Sequence, residues 1–177
     1  EKIALTLTEM KRMEKAHGDV PLLVHTDMTV VDSGLNEIEH SFMKYCGLNA
    51  RKKTLNYLVV QNNISGCTMM INRALLELVK DAPSADMIMH DWWFGLAASA
   101  FGAVGFVNSS TSLYRQHDSN ELGAKHYEGL RTFCKLVWGF IKRRFMRKTR
   151  VKHVHIAVVQ AQKFISYYGG ELPERSR

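Results

Sequence analysis

The stretch VPLLVHTDMTVV, residues 20–31, constrains the fold more than any other part of the chain. Its first half is a Val- and Leu-rich apolar run, without the alternation of a strand that shows one face to water. That pattern suits a buried strand of the kind found in α/β proteins. His25, Thr26 and Asp27 come where the strand should be ending, and Asp32-Ser33-Gly34 is turn chemistry. Helical periods surround it. Ile3, Leu7, Met10 and Met13 fall at helical spacing over residues 2–16, and Gly18 stops the run. Residues 36–45 read as a helix stopped by Gly47, residues 55–61 as a short helix or a loop segment, and residues 62–66 as a polar loop. Residues 67–71 read as a short buried strand. Asn72 can cap a helix over 73–80, which Asp81-Ala82-Pro83 ends. Asp91 opens another helix that runs to about residue 100 and stops at Gly102. Residues 104–107 (VGFV) and 111–117 (TSLYRQH) read as two further strands. Short strands mixed with helices predict an α/β or α+β arrangement over residues 1–124. From 125 to 177 the pattern is helical only, over 127–148 with a break allowed at Gly139, and over 151–167, ended by Gly169-Gly170.

Composition narrows the classes. With 177 residues, 46% of them hydrophobic and 23% charged, the chain can bury a core. No apolar run approaches the ~20 residues that cross a bilayer. The start, EKIALTLTEMKRMEK, carries charges throughout and is no signal peptide. Cys46, Cys67 and Cys134 are widely spaced, with neither metal-knuckle spacing nor a disulfide framework. Reduced thiols and a cytoplasmic setting are expected. Cys67, inside GCTMMI, is expected to be a small buried thiol rather than a nucleophile. The basic excess is local. Residues 1–120 hold 11 Lys/Arg against 13 Asp/Glu, whereas residues 121–177 hold 13 against 4.

Three polar clusters sit at strand ends or helix starts, where α/β sheets place ligand sites. In the first, Asp27 could meet a ribose hydroxyl or a divalent metal; the plainer reading is a solvated or capping carboxylate. In the second, His90-Asp91 precedes Trp92 and Trp93. An Asp opening a helix normally accepts hydrogen bonds from backbone amides. Aromatic walls would instead desolvate it and raise its pKa, and such a carboxylate can take a proton from a hydroxyl. The indoles could offer a flat face to a sugar ring, or simply pack in the core. In the third, YRQHDSN (114–120), Arg115 and His117 face the same side of a strand. Arginine suits phosphate oxygens and histidine suits a metal, though a polar strand end explains them as well. No G-x-S-x-G elbow, H-E-x-x-H helix, paired C-x-x-C or Walker loop is present.

Taken in order, HTDMTVVD, QNNISGCTMMINRALL, MHDWW and TSLYRQHDSN resemble the motif series of bacterial family-2 glycosyltransferases. The resemblance covers about residues 1–125 and points to the rhamnosyltransferase-like branch that builds cell-surface polysaccharides. It implies the C-terminal, acceptor-side part of a GT-A nucleotide-sugar transferase sandwich. The implied reaction moves a sugar from a nucleotide-sugar, dTDP-rhamnose in the nearest branch, to a saccharide or lipid-linked acceptor with inversion. Asp91 then matches the catalytic base of the family's Glu-Asp or His-Asp motif, with His90, Trp92 and Trp93 beside the substrate. Gly66, Cys67 and Thr68 match the loop next to donor sugar and acceptor. Arg115, Gln116 and His117 match the segment that closes on the diphosphate, His117 completing a Mg or Mn shell. His25 and Asp27 match the strand after the donor site. One departure is large. The family's N-terminal nucleotide-binding half and its Asp-x-Asp metal motif do not appear, and Asp27 and Asp32, five apart, do not replace that motif. The expectation is a portion of a longer enzyme that binds nucleotide-sugar weakly and turns over poorly by itself.

The segment LVWGFIKRRFMRKTRVK, residues 136–152, places seven Lys/Arg in its last eleven positions, with Trp138, Phe140, Ile141 and Phe145 interleaved. A solvated helix with one core face explains it. So does an amphipathic element on an anionic membrane, which would put the protein at the inner face of the cell membrane. Nucleic-acid binding is the weakest of the three readings. The alternative to an enzyme is a non-catalytic acceptor- or membrane-binding module derived from one.

Overall fold

The computed structural model describes residues 1–116 and 139–173. The chain is α/β. Strand β1 (Leu22–Val31) is buried at all ten positions. Strand β4 (Ala103–Arg115) runs parallel to it along its whole length, from Leu22↔Ala103 to Val31↔Arg115. The opposite edge of β1 is shared by two short antiparallel strands. β3 (Met70–Ile71) pairs with Leu23 and Val24, and β2 (Glu37–Glu39) pairs with Val30 and Val31.

The alternation of a strand sends successive side chains to opposite faces. Leu22 and Val24 pack with Met10 and Met13 of helix α1 (Lys2–His17). Leu23, between them, joins the larger core with Leu58, Trp93, Leu96 and Ala97. Both faces are therefore covered, and the run of residues 22–24 has no polar position to spare. Helix α5 (His90–Phe101) supplies most of the larger core. A helix with Ala, Leu and Trp around most of its circumference is stable only when enclosed. Helices α3 (Leu55–Leu58) and α4 (Arg73–Val79) enclose it, as does the second half of α6 (Gly139–Tyr168). Phe164 and Tyr168 place their rings 5.3 and 5.9 Å from that of Trp93. The Tyr168 hydroxyl donates to Leu78 O, and Gln160 Oε1 accepts from the Ile88 amide.

Several sequence expectations change. His25, Thr26 and Asp27 lie in mid-strand rather than at a strand end. Residues 103–115 form one strand where two were expected, split at 108–110. The polar segment Asn108-Ser109-Ser110 lies within β4, whose register slips against β1 after Thr26 and again after Asp27. Bulges of this kind keep a ladder going past extra residues. Hydroxyl pairs bridge the slip, Thr26 to Thr111 and Thr29 to Ser110, each at 2.6 Å. Residues 36–45 form no single helix. Asp32 Oδ1 accepts from the Gly34 and Asn36 amides, turning the chain so that Glu37–Glu39 pairs back on β1. Only helix α2 (Phe42–Tyr45) remains, capped by Ser41. Within 67–71, a 3-10 turn (Gly66–Thr68) replaces the first part of the expected strand. The expected division between helices near 149–150 is absent; α6 passes through it. Residues 127–138 of the upstream helix lie outside the described residues.

Candidate functional site

Asp91 is the second residue of α5, following the N-cap Met89, which makes no side-chain cap bond. Asp91 is buried, 9% exposed as a residue, and its carboxylate accepts three hydrogen bonds. Oδ1 takes the Trp92 amide at 2.7 Å and the Asn62 side-chain amide at 3.1 Å. Oδ2 takes the Gly66 amide at 3.0 Å. A negative group in the first turn also meets the positive end of the helix dipole. The carboxylate thus answers to its own helix and to the 62–66 loop at once.

The loop can lie that close because two glycines clear the way. A Cβ on Gly66 would stand 2.6 Å from His90 Nε2, and one on Gly95 would stand 2.5 Å from Ile64 Cδ1. Asn62 Oδ1 accepts from the Ile64 amide, and Asn63 Nδ2 donates to Asn49 O and Lys52 O. The loop is thereby anchored on both sides. The Thr68 hydroxyl donates to Ser65 O and closes the 3-10 turn. Cys67, expected to be buried, is exposed at the turn, with its Sγ 3.5 Å from Met28 Sδ of β1. Its carbonyl accepts from Lys2 Nζ at 2.8 Å. Gly66, Cys67, His90 and Asp91 therefore come together, and the buried Thr68 closes the turn that carries Gly66 and Cys67. Asn62, Lys2 and Met28 join them unannounced. Asn62 stood out only as part of a polar loop, and nothing in the sequence pairs residue 2 with residue 67.

Other candidates go elsewhere. Trp92 is 5% and Trp93 0% exposed, so neither indole offers a face to a sugar ring. Trp92 Nε1 donates to Leu58 O. Asp27 is buried and committed: Oδ1 accepts from the Met28 and Met43 amides, and Oδ2 accepts from the Ser41 hydroxyl at 2.5 Å. It ties α2 to the middle of β1, where neither β2 nor β3 reaches. Arg115 is exposed at the end of β4, opposite Val31, and the Gln116 amide donates to Val31 O. His117 lies outside the described residues. His25 is fully buried, with its ring 5.0 Å from Phe106. Among the described residues neither of its nitrogens has a hydrogen-bond partner. Burial, and secondarily the charge of Lys53, lowers its pKa to about 4.

The Mg or Mn implied by the motif resemblance finds no matching donor set, because no three His, Cys, Asp or Glu side chains converge among the described residues. What the cluster does offer is a hydrogen-bond acceptor. A carboxylate oxygen has two lone-pair directions. Oδ1 uses both, whereas Oδ2 uses one on Gly66. No family model, curated protein or solved structure matches the chain.

Proposed function

We propose that this chain is the acceptor-side part of a family-2-type glycosyltransferase, with Asp91 as the base that takes the proton from the acceptor hydroxyl. The observation that carries the reading is Oδ2 of Asp91. It keeps one lone-pair direction while the rest of the carboxylate is fixed by Trp92, Asn62 and Gly66. A positioned base needs this combination of a free acceptor and a rigid frame. The proton passes to Asp91 as the hydroxyl oxygen bonds to the anomeric carbon, and the nucleotide diphosphate leaves from the opposite side. The four ordered motifs supply the substrate class: a nucleotide-sugar such as dTDP-rhamnose, and a saccharide or lipid-linked acceptor. No metal step is derived from these residues.

The test is transfer from dTDP-, UDP- and GDP-linked sugars by the natural protein that carries this segment. Asp91→Asn should lower the rate by about 10²–10⁴-fold, the usual worth of a general base. A variant within a few-fold of the wild type removes Asp91 from that role, and no consumption of any nucleotide-sugar removes the transferase reading. A second reading, a non-catalytic acceptor-binding module, is favoured by the loop-anchoring bonds of Asp91; it expects saccharide binding that Asp91→Asn leaves intact and no turnover. Among the described residues no helix is long and apolar enough to cross a membrane. Attachment to the inner face of the cell membrane, through the basic residues of 136–152, is part of the proposal. It requires sedimentation with anionic but not neutral liposomes.

A further inference from the structure

A second set of polar side chains gathers at the other end of α5. That helix has 12 residues, so about 18 Å separates its two ends. A cleft of about 490 Å³ opens there between the last turns of α1 and α5, residues 53–56 and the start of β4. Its polar lining comprises Arg12, His17, Lys53, Thr54, Asn56 and Ser99, and no carboxylate. Arg12 is largely neutralised, because Nε and Nη2 donate to the two oxygens of Glu9 at 2.8 and 2.7 Å. The Lys53 carbonyl accepts from the Ser99 hydroxyl at 3.0 Å, which fixes that backbone against α5. Its ammonium is left over. Among the described residues the Lys53 ammonium, the His17 ring, the Thr54 hydroxyl and the Asn56 amide have no hydrogen bond or ion pair.

Lys53, His17, Thr54 and Asn56, four residues with side chains able to donate hydrogen bonds, line one cleft whose nearest acid, Glu9, is held by Arg12. The geometry points to a site for a compact oxyanion, a phosphate or diphosphate group on a soluble small molecule. Phosphate oxygens are acceptors only, and a lysine ammonium is a point charge that binds them without a fixed fork. The volume lies in the range of small-molecule sites. The field of Lys53 is felt around it. The charge contributes, after burial, to the lowered pKa of His25, and, after Arg12 and against burial, to that of Glu9. The site owes nothing to the Asp91 reading and stands or falls separately from it.

The test is calorimetric titration of the whole chain with pyrophosphate, alongside Lys53→Ala and Asn56→Ala. Both side chains are exposed, so both variants should keep the wild-type circular dichroism and Tm. Saturable binding is expected, weakening as ionic strength rises and about tenfold weaker in Lys53→Ala, roughly the loss of one charge-assisted contact. Absence of saturable binding overturns the proposal. So does equal affinity in wild type and Lys53→Ala, which would put the anion elsewhere, as on the Lys/Arg run of residues 142–152. Vesicles of phosphatidylglycerol separate the two phosphate sources. Lys53→Ala should leave vesicle association unchanged; a Lys53-dependent association without pyrophosphate binding assigns the cleft to a lipid headgroup and overturns the soluble-ligand claim.

Discussion

His25 should make the fold acid-sensitive in a pH range where carboxylates contribute little. Its ring is fully buried beside Phe106, and its folded pKa is about 4 against an ordinary 6.5. A proton therefore favours the unfolded chain. The sign follows: the fold carries no penalty from this group above pH 6.5, loses stability as pH falls through the interval, and stops losing it below about 4. The full depression is worth about 3 kcal/mol, at 1.36 kcal/mol per pKa unit. Linkage spreads it so that little is lost at pH 7 and about 2 kcal/mol at pH 5. The clamped carboxylates, Glu9, Asp32, Glu39 and Glu77, have lowered pKa values and lose their contribution only below their unfolded range near 4. The interval from 7 to 5 therefore reports mainly on histidine. Urea unfolding, followed by tryptophan fluorescence at pH 7, 6 and 5, should show a fall of about 2 kcal/mol in the wild type that is missing from His25→Leu. The variant should also be more stable at pH 7, since it removes two buried ring nitrogens that bond to no described residue, each costing about 1 kcal/mol or more. Parallel pH profiles for the two proteins would refute the reasoning, because a solvated or hydrogen-bonded imidazole would titrate alike in both states.

Gly102→Ala places a Cβ 1.8 Å from the backbone carbonyl oxygen of Pro21, which cannot swing aside as a side chain can; thermal unfolding should show a loss of about 3 kcal/mol or more. Asn72→Ala removes the cap on Leu75 and the acceptor of the buried Leu22 amide, bonds of 3.0 and 2.9 Å. It should cost about 2–4 kcal/mol in urea unfolding, and a loss under 1 kcal/mol would show that water replaces both. Gly66→Ala crowds the far end of the His90 side chain and meets Asp91 Cβ at an ordinary 3.7 Å, so it should leave Tm nearly unchanged while shifting the His90 ring resonances in NMR spectra; a severe Tm loss would show instead that the 62–66 loop cannot yield. A maleimide should label Cys67 faster than the half-buried Cys46, as compared in Cys134→Ser variants that each keep one of the two; equal rates would contradict the exposed 3-10 turn.

The buried strand, helices α1, α4 and α5, and the Asn72 cap were legible because each depends on local chemistry. Residues 22–24 have no face for water, Asn72 can do little else at the head of a helix, and Gly102 ends α5. The errors fall where distant pairing overrides local preference. Glu37–Glu39 looks helical by composition, but the Asp32 turn delivers it to the free edge of β1, where three residues of ladder outweigh a marginal helix. Asn108-Ser109-Ser110 looks like a loop, yet hydroxyl pairing across the register slip keeps the strand whole. Cys67 sits among apolar residues in sequence, but the 3-10 turn that Thr68 closes carries it outward.

The same distinction governs the site. Asp91 could be placed at a helix start from sequence, and the open question was whether it caps or reacts. The bonds to Asn62 and Gly66, 29 and 25 residues away, were invisible there, and they change the terms of the question. A pure cap would satisfy its own first-turn amides; this carboxylate spends only one bond on its helix, at Trp92. The other two hold a loop whose glycine brings the backbone against His90. Anchoring and reactivity therefore do not compete for Asp91. Three donors fix the plane of the carboxylate, and the remaining direction on Oδ2 is then aimed by the fold rather than by a freely turning side chain. A side chain with no structural duty would need other contacts to be held so, which is why the anchoring bonds are compatible with the proposed role as well as with a purely structural one.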